Sequence, residues 1–269
     1  MTTPKPKTPA PHRALAIGAH PDDIEFLMAG TLVLLQQAGY EIHTLNIANG
    51  SCGSATHTRE QIIRLRAAES RAAAQSIGAI HHPPFVDDLQ IFYEPQILAR
   101  MGALLRDVAP HILLLHSPSD YMEDHQNAAR LGVTAAFGRA MPNFATDPPR
   151  PPISQEVTLY HAQPHGNRDP LGGLVRPTMY VDISRVLPHK RAMLAHHRSQ
   201  KEWLDRTQGM DSYLQAMEDM SREVGAMSGR FELAEGWRRR LHWGFCAPSA
   251  DPLAGALRPF VHLPDPPAD

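Results

Sequence analysis

The sequence predicts a Rossmann-like α/β fold, with a doubly wound, mostly parallel sheet and helices on both of its faces. Short apolar runs of strand length alternate with longer segments in which apolar residues recur at helical spacing, as in right-handed β-α-β units. Two of these short runs end directly in polar clusters, at the strand ends where open parallel sheets bind ligands. A length of 269 residues is sufficient for one such domain.

The first half of the chain contains three predicted strands. Residues 14–18 form a short apolar run, and residues 26–35 have the spacing of a helix. A second strand is predicted at 41–47 and a third near 84–86. Between them, Thr58 and Gln61 have the pattern of a capping box, which predicts a helix that ends at Gly78.

The second half continues this alternation. The sequence predicts a helix from Ile97 to Val108, a fourth strand at 112–115 and a helix through Leu131. Further strands are predicted at 157–163 and 179–183, followed by helices at 185–204 and 210–227. The last helix carries one stripe that indicates core packing or a subunit contact and leaves a homo-oligomer possible; its members are Met210, Tyr213, Leu214, Met217 and Val224.

The composition of the chain indicates three segments and gives no support for a nucleic-acid or membrane partner. We expect a disordered leader at 1–13, a single α/β domain at 14–247 and an extended Pro-rich tail at 248–269. The net charge of −2 gives no electrostatic reason to expect nucleic acid or an anionic membrane as a partner. No apolar run approaches membrane length, and two cysteines suggest no disulfide framework. We therefore expect a cytoplasmic protein.

The turn after the first strand carries His20, Asp22 and Asp23. An imidazole and a carboxylate presented by so short a turn, His20 and Asp23, suit a divalent metal such as zinc. Asp22 would then lie beside the metal as a general base for water. The alternative is that these acids cap the following helix.

A second polar turn follows the fourth strand. In the strand order 3-2-1-4-5, the first and fourth strands are neighbours, so the two turns face each other across a crevice. His125, at the start of the next helix, can supply a third ligand and leave a fourth position for water, as in catalytic zinc sites. Asp124 either orients a ligand imidazole or caps the helix.

Several motifs give the chain a resemblance to a known family. They are Ala-His-Pro-Asp-Asp-Ile-Glu at 19–25, Arg-Ala-Ala-Glu at 66–69, His-Ser-Pro-Ser-Asp-Tyr at 116–121, Asp-His at 124–125 and His-Arg-Ser-Gln at 197–200. The sequence resembles the PIG-L/LmbE-like family of zinc-dependent N-deacetylases, which act on N-acetylglucosamine-containing substrates.

The resemblance implies a small N-acetylated sugar or glycoconjugate as substrate and a zinc ion as cofactor, for which Fe²⁺ can compete at a site of two histidines and one aspartate. It implies that Asp22 is the general base and that Arg66 and Asp88 contact the substrate. It also implies three metal ligands, namely His20, Asp23 and His125.

One position departs from the family pattern. Many members carry a histidine three residues before the ligand histidine, where it protonates the leaving amine or stabilises the oxyanion. Here that position is Met122, and methionine cannot transfer a proton. We expect His165, on a loop flanked by glycine, to supply the acid. His197 and Tyr121 are weaker candidates for that role and are also candidate substrate contacts.

Two other functions stay open at this point. The chain could be a metal-dependent hydrolase that acts on a different amide or ester. It could also be a sugar-binding homologue with weak catalysis, although the intact Asp22 argues against that interpretation.

Overall fold

The structure, a computed structural model, describes residues 11–201 and 213–264. Its strands are β1 (Arg13–Gly18), β2 (Glu41–Asn46), β3 (Ile80–His82), β4 (Ile112–Leu115), β5 (Thr158–Ala162), β6 (Met179–Asp182), β7 (Ala234–Arg239) and β8 (Val261–His262). In the described ranges they form one eight-stranded sheet of order β3-β2-β1-β4-β5-β7-β6-β8. The first five strands are parallel and the other three pair antiparallel. The predicted α/β fold class and the order 3-2-1-4-5 are therefore confirmed.

Helices cover both faces of this sheet. They are α1 (Asp23–Leu27), α2 (Ala29–Gln37), α3 (Arg59–Ser76), α4 (Pro95–Val108), α5 (Glu123–Gly138), α6 (Leu187–Leu194), α7 (Tyr213–Ser228) and α8 (Pro252–Ala256). Side chains of β1 alternate between two separate apolar cores, because successive strand residues point to opposite faces. Ala14 and Ala16 belong to one core, and Leu15 and Ile17 belong to the other. Within the described ranges, no helix has the length and apolar character to span a membrane.

Several element boundaries differ from the prediction. The third strand lies at Ile80–His82 rather than at 84–86, because Pro83 and Pro84 have no N–H to donate to a neighbouring strand. Val86 forms only an isolated bridge with Ala48. The helix predicted over 26–35 is two helices that meet at Met28, whose φ of −131° is not helical.

The late helices also differ. The helix predicted over 185–204 ends at Leu194, and helical backbone resumes at 198–201. Its predicted last residues, 202–204, and the predicted start of the last helix at 210 lie outside the described residues. Because of this gap, the first described residue of α7 is Tyr213.

The two chain ends are not as expected where they are described. Residues 1–10 of the proposed leader lie outside the described residues, and Arg13 is already part of β1. Residues 248–264 are not an extended tail, because they include α8 and the strand β8, which pairs with β6. The physical reason is burial, since Leu253 and Leu257 are 0% and 1% exposed within the core.

A buried ion pair between Glu235 and Lys190 connects β7 to α6, and Glu235 also contacts the start of α2. Glu235 of β7 accepts the N–H groups of Gly30 and Thr31 at 2.8 and 2.7 Å, which would otherwise lack partners at the start of α2. Lys190 Nζ lies 2.6 Å from Glu235 Oε1. The Trp237 indole N–H donates to the hydroxyl of Thr31 at 3.0 Å. This network fixes α2 against the antiparallel half of the sheet.

We expect Lys190→Ala to lower the free energy of unfolding by about 3 kcal/mol or more, because it leaves a buried carboxylate without its cation. Urea denaturation measures this loss. Arg222→Ala is the matched control, since Arg222 pairs with Asp219 at 2.8 Å on the surface and should cost less than about 1 kcal/mol. Equal losses in the two variants would contradict the proposed importance of the buried pair.

Candidate active site

A cavity of about 320 Å³ lies at the carboxyl ends of the parallel strands. Side chains from the turns after β1, β2, β3 and β4 meet there, as expected for a doubly wound sheet. The lining residues are His20, Asp22, Asp23, Phe26, Leu27, Cys52, Gly53, Arg66, Asp88, Leu89, Tyr121, Met122, His125, His165, Gln200 and Tyr213.

Asp23 is the point at which the turns after β1 and β4 meet. Its Oδ2 accepts the N–H groups of Ala19 and His20 at 3.0 and 2.7 Å. His116 Nε2, just beyond β4, lies 3.1 Å from the same oxygen. Burial opposes ionisation of this carboxyl, but His125 and His116 hold its pKa well below the usual range. Asp23 is therefore a carboxylate.

The three residues predicted as metal ligands lie together. His20 Nδ1 is 3.6 Å from Asp23 Oδ2, and His125 Nε2 is 3.5 Å from Asp23 Oδ1. One donor atom from each residue lies within 4.8 Å of the other two. Two imidazole nitrogens and one carboxylate oxygen are a donor set that suits a divalent transition metal, and three protein ligands leave a position for water. The residues therefore fit the metal site that the sequence predicted.

His116, Asp120 and His125 form a second group with metal-ligand spacing, which shares His125 with the first. Asp120 Oδ1 lies 2.9 Å from His125 Nδ1 and also accepts the N–H of Met122. Since Asp120 engages Nδ1, the Nε2 atom of His125 stays available toward Asp23. The first group is therefore the better candidate for a metal, and Asp120 contacts the other ring nitrogen of His125.

Asp124 orients the other imidazole. Its Oδ2 lies 2.9 Å from His20 Nε2 and accepts the N–H of Leu89 at 2.8 Å. Of the two alternatives for Asp124, the structure therefore contains the contact with a ligand imidazole. Burial lowers the pKa of His20, but the hydrogen bonds with Asp124 and Asp23 outweigh it and raise the pKa to about 10. A cation binding at Nδ1 of His20, which faces Asp23, would displace a proton.

Asp22 lies beside the metal group in an unusual backbone conformation. Its φ of 110° is uncommon for a residue with a side chain and indicates a constrained turn. The Tyr213 hydroxyl of α7 donates to Asp22 Oδ2, and Arg66 Nη2 lies 3.5 Å from Oδ1. Arg66 also donates to the carbonyl of Pro21. Burial, opposed by Arg66, raises the pKa of Asp22 above its ordinary value, which favours a proton-accepting role.

Of the four residues predicted to contact the substrate, three line the cavity and one does not. Arg66 lines the cavity but is 2% exposed, and Asp88 lines it while accepting the N–H groups of Gly50 and Cys52 at 2.7 and 2.9 Å. Tyr121 lines the cavity with its ring largely exposed. His197 is not among the lining residues; it is 1% exposed and packs against Glu25. Its position does not support direct contact with a substrate.

His165, the predicted acid, lies at the cavity. Its ring centroid is 5.1 Å from that of Phe26 and 5.7 Å from that of Tyr121. Its backbone N–H donates to Asp120 Oδ2 at 3.3 Å. Although His165 is partly open to solvent, desolvation at the cavity lowers its pKa, and the carboxylate of Asp120 opposes this shift. Met122 also lines the cavity, so the position without a proton donor and its proposed substitute face the same space.

Sequence reasoning missed three residues of this site: His116, Asp120 and Tyr213. Asp120 could have been found from its place five residues before His125 in the same polar turn. His116 likewise begins that polar turn and the motif at 116–121, whereas Tyr213 had no local signal. Tyr213 was interpreted as core packing or a subunit contact from its helical stripe, and only the tertiary fold brings it to Asp22.

Residues 15–136 match the PIG-L family, described as GlcNAc-PI de-N-acetylase. The chain is 26% identical over 199 residues to a diacetylchitobiose deacetylase of Thermococcus kodakarensis, covering 70% of each chain. It is also 26% identical over 189 residues to a 4-oxalmesaconate hydratase of Pseudomonas putida, covering 67% of this chain and 71% of the relative. The fold is similar to that of N,N'-diacetylchitobiose deacetylase from Pyrococcus horikoshii, with a TM-score of 0.71, 20% identity and coverage of 85% and 83%.

We expect Gly50→Ala to lower the free energy of unfolding by about 1 kcal/mol or more beyond Gly39→Ala, as measured by urea denaturation. A Cβ at Gly50 would lie 2.4 Å from Cδ of Arg66, whereas one at Gly39 would meet nothing within 4 Å. Both glycines have positive φ, 80° and 88°, so backbone strain is matched and the difference isolates the packing of Arg66. Equal losses would mean that Arg66 is not held by this contact.

Proposed function

We propose that this chain is a metal-dependent hydrolase that removes the acetyl group from the amide nitrogen of an N-acetylglucosamine-like substrate, because its residues 15–136 match the PIG-L family. One observation carries the proposal. A carboxylate with a raised pKa, Asp22, adjoins a donor set of two imidazoles and one carboxylate in a cavity. That combination is what metal-assisted amide hydrolysis requires.

Zn²⁺ is the cation that we propose, with Fe²⁺ as the alternative, since both bind imidazole and carboxylate ligands. His20, Asp23 and His125 would hold it. When bound, such an ion supplies a Lewis acid that polarises the amide carbonyl and acidifies water. Asp124 and Asp120 keep the two imidazoles oriented, since each lies 2.9 Å from a ring nitrogen.

Asp22 accepts the proton of the attacking water. Its two oxygens are not equivalent, because the Tyr213 hydroxyl already donates to Oδ2 while Arg66 approaches Oδ1 only at 3.5 Å. We therefore assign proton acceptance to Oδ1. The raised pKa of Tyr213, caused by burial and by Asp22, keeps this hydroxyl protonated as a donor. Tyr213 thus holds the carboxylate of Asp22 toward the water.

The leaving nitrogen needs a proton as the C–N bond breaks. His165 supplies it in our proposal, because its imidazole lies at the cavity beside Tyr121, where Met122 has no proton to give. The oxygen of water ends in acetate and the substrate nitrogen leaves as a free amine. Tyr121 offers its exposed ring to a face of the sugar.

Arg66, Asp88 and His197 act mainly by positioning. The polar atoms of Arg66 and Asp88 are engaged with the turn at 21–22 and the loop at 50–52. His197 Nε2 lies 3.3 Å from the Glu25 carboxylate behind α1. Both cysteines of the chain are free thiols, which supports a reducing compartment such as the cytoplasm.

The similarity to a hydratase favours a second candidate, addition of water to a carbon–carbon double bond at the same site. A metal-activated water and a general base serve hydration as well as hydrolysis. The two candidates differ in the charge of the substrate. Hydration of an unsaturated carboxylic acid needs cations that bind the carboxylates of the substrate. Among the described lining residues, Arg66 is the one arginine or lysine, and it is already engaged with Asp22 and Pro21. Deacetylation is therefore the preferred proposal.

Both candidates can be tested on one preparation. Protein reconstituted with Zn²⁺ or with Fe²⁺ is incubated with N-acetylglucosaminides, non-sugar acetamides and unsaturated dicarboxylic acids, and acetate release and loss of double-bond absorbance are followed. We expect metal-dependent acetate release from the N-acetylglucosaminides. Absorbance loss without acetate would favour the hydratase, and acetate from the simple amides alone would redefine the substrate.

We expect Asp22→Asn to lower kcat by about 10²- to 10⁴-fold, because the amide cannot accept the proton of water. Metal content should stay at the wild-type level, since Asp22 is outside the proposed ligand set. The measurements are metal analysis and acetate release on the same sample, with the surface variant Asp219→Asn as control. Wild-type turnover in Asp22→Asn would disprove the base assignment.

We expect His165→Ala to lower kcat by about 10²-fold or more. A general acid must be protonated, and the lowered pKa of His165 means that its protonated fraction is lost as pH rises through a value below 6.5. Wild-type rate should therefore decline on the alkaline side, and His165→Ala should lack that limb. His189→Ala, at an exposed histidine of α6, is the control. Full turnover with an unchanged alkaline limb would exclude His165 as the acid.

A further inference from the structure

The cavity is charged around Asp23 and apolar at its rim. Leu89 and Tyr121 both line it, yet they are 60% and 62% exposed. A side chain that is exposed to solvent and also faces a binding cavity is available to a ligand. Large apolar side chains in this position lose contact with water when a ligand covers them, which favours binding.

The backbone of Leu89 is in a strained conformation. Its φ is 63°, in the left-handed region that glycine adopts freely and a bulky side chain adopts rarely. Its N–H donates to Asp124 Oδ2 at 2.8 Å, and the preceding Asp88 is fixed by Gly50 and Cys52. The surroundings therefore force this conformation on residue 89. Strain of this kind concentrates at ligand-binding sites.

The position of Leu89 is coupled to the metal group. Asp124 Oδ2, which accepts the Leu89 N–H, also lies 2.9 Å from His20 Nε2. Tyr121 approaches the same group from the other turn, with its ring centroid 5.6 Å from that of His125. Both rim residues are thus connected to a candidate ligand imidazole, Leu89 through Asp124 and Tyr121 through its ring.

The charges of the cavity disfavour an anionic ligand group there. With the N-acetyl group at the metal and Asp23 among the proposed ligands, the remaining lining carboxyl residues are Asp22 and Asp88, and the cation Arg66 is engaged with Asp22 and Pro21. A carboxylate or phosphate attached to the sugar would meet these acids without a free arginine or lysine among the described lining residues. A neutral apolar group meets no such cost.

We propose that Leu89 and Tyr121 form a subsite for a neutral apolar aglycone, so that the substrate class is an N-acetylglucosamine carrying an alkyl or aryl group. The inference rests on the proposed function, because it places the N-acetyl group at the metal and the aglycone at the rim. Leu89 determines specificity here and takes no part in bond breaking.

The test uses three glycosides of one anomer of N-acetylglucosamine: methyl, hexyl and 5-carboxypentyl. The full-length, metal-loaded protein is titrated with each by calorimetry, and kcat/KM is measured from acetate release. We expect the hexyl glycoside to exceed the methyl and carboxypentyl glycosides by about tenfold or more in affinity and in kcat/KM, because its methylenes are buried against Leu89.

Leu89→Asn and Leu89→Gly should each reduce the preference for hexyl over methyl to about twofold or less. Both residues tolerate positive φ, so the variants remove the apolar side chain without adding strain. Leu241→Asn, at a leucine of similar exposure, 57%, should keep the wild-type preference.

The outcomes separate the two proposals. Equal affinities for hexyl and methyl glycosides, preference for the carboxypentyl glycoside, or an unchanged preference in both Leu89 variants would overturn the subsite. A hexyl preference in binding that depends on Leu89, without acetate from any glycoside, would support the subsite and overturn the deacetylase proposal.

Discussion

The carboxylate of Asp23 is the interaction on which the site depends. A charged group taken out of water is tolerated only where donors and cations compensate it. Here the compensation comes from the N–H groups of Ala19 and His20 at the end of β1 and from His116 at the end of β4. The two strands are hydrogen-bonded neighbours, so the sheet itself brings this carboxylate and its partners together. The candidate metal-donor set is therefore assembled by the fold.

Helix α5 extends this constraint to the ligands and to the rim. Its first turn supplies Asp124 to His20, and the turn before it supplies Asp120 to His125. Asp124 also holds the N–H of Leu89, and Asp120 holds that of His165. The same two carboxylates thus orient the imidazoles and fix two loops that line the cavity. Each loop is therefore one hydrogen bond away from a carboxylate that contacts a candidate ligand imidazole.

The sequence predicted the parts of this arrangement that local pattern controls. Apolar periodicity predicted four of the five parallel strands, and strand order then placed His20 near His125. Local pattern could not predict the contact of Tyr213 with Asp22. A tyrosine on an amphipathic stripe has the same local pattern whether it packs in the core or donates to Asp22. The bend at Met28 and the folded segment after residue 248 were missed for a related reason. Each depends on burial against distant elements, as Leu253 does in the core.

The relatives of this chain include both a deacetylase and a hydratase, although the chemistry around the cation can be common to the two. A base that takes a proton from water serves either reaction, so the role proposed for Asp22 does not distinguish them. The distinction must come from what receives the proton afterwards and from the charge that the substrate brings. In this chain Met122 removes one familiar proton donor while His165 faces the same cavity, and the single lining arginine of the described residues is already engaged. Hydrolysis of a neutral amide needs a proton donor such as His165 and does not need a free arginine. A polycarboxylate needs cations, which the engaged Arg66 does not supply.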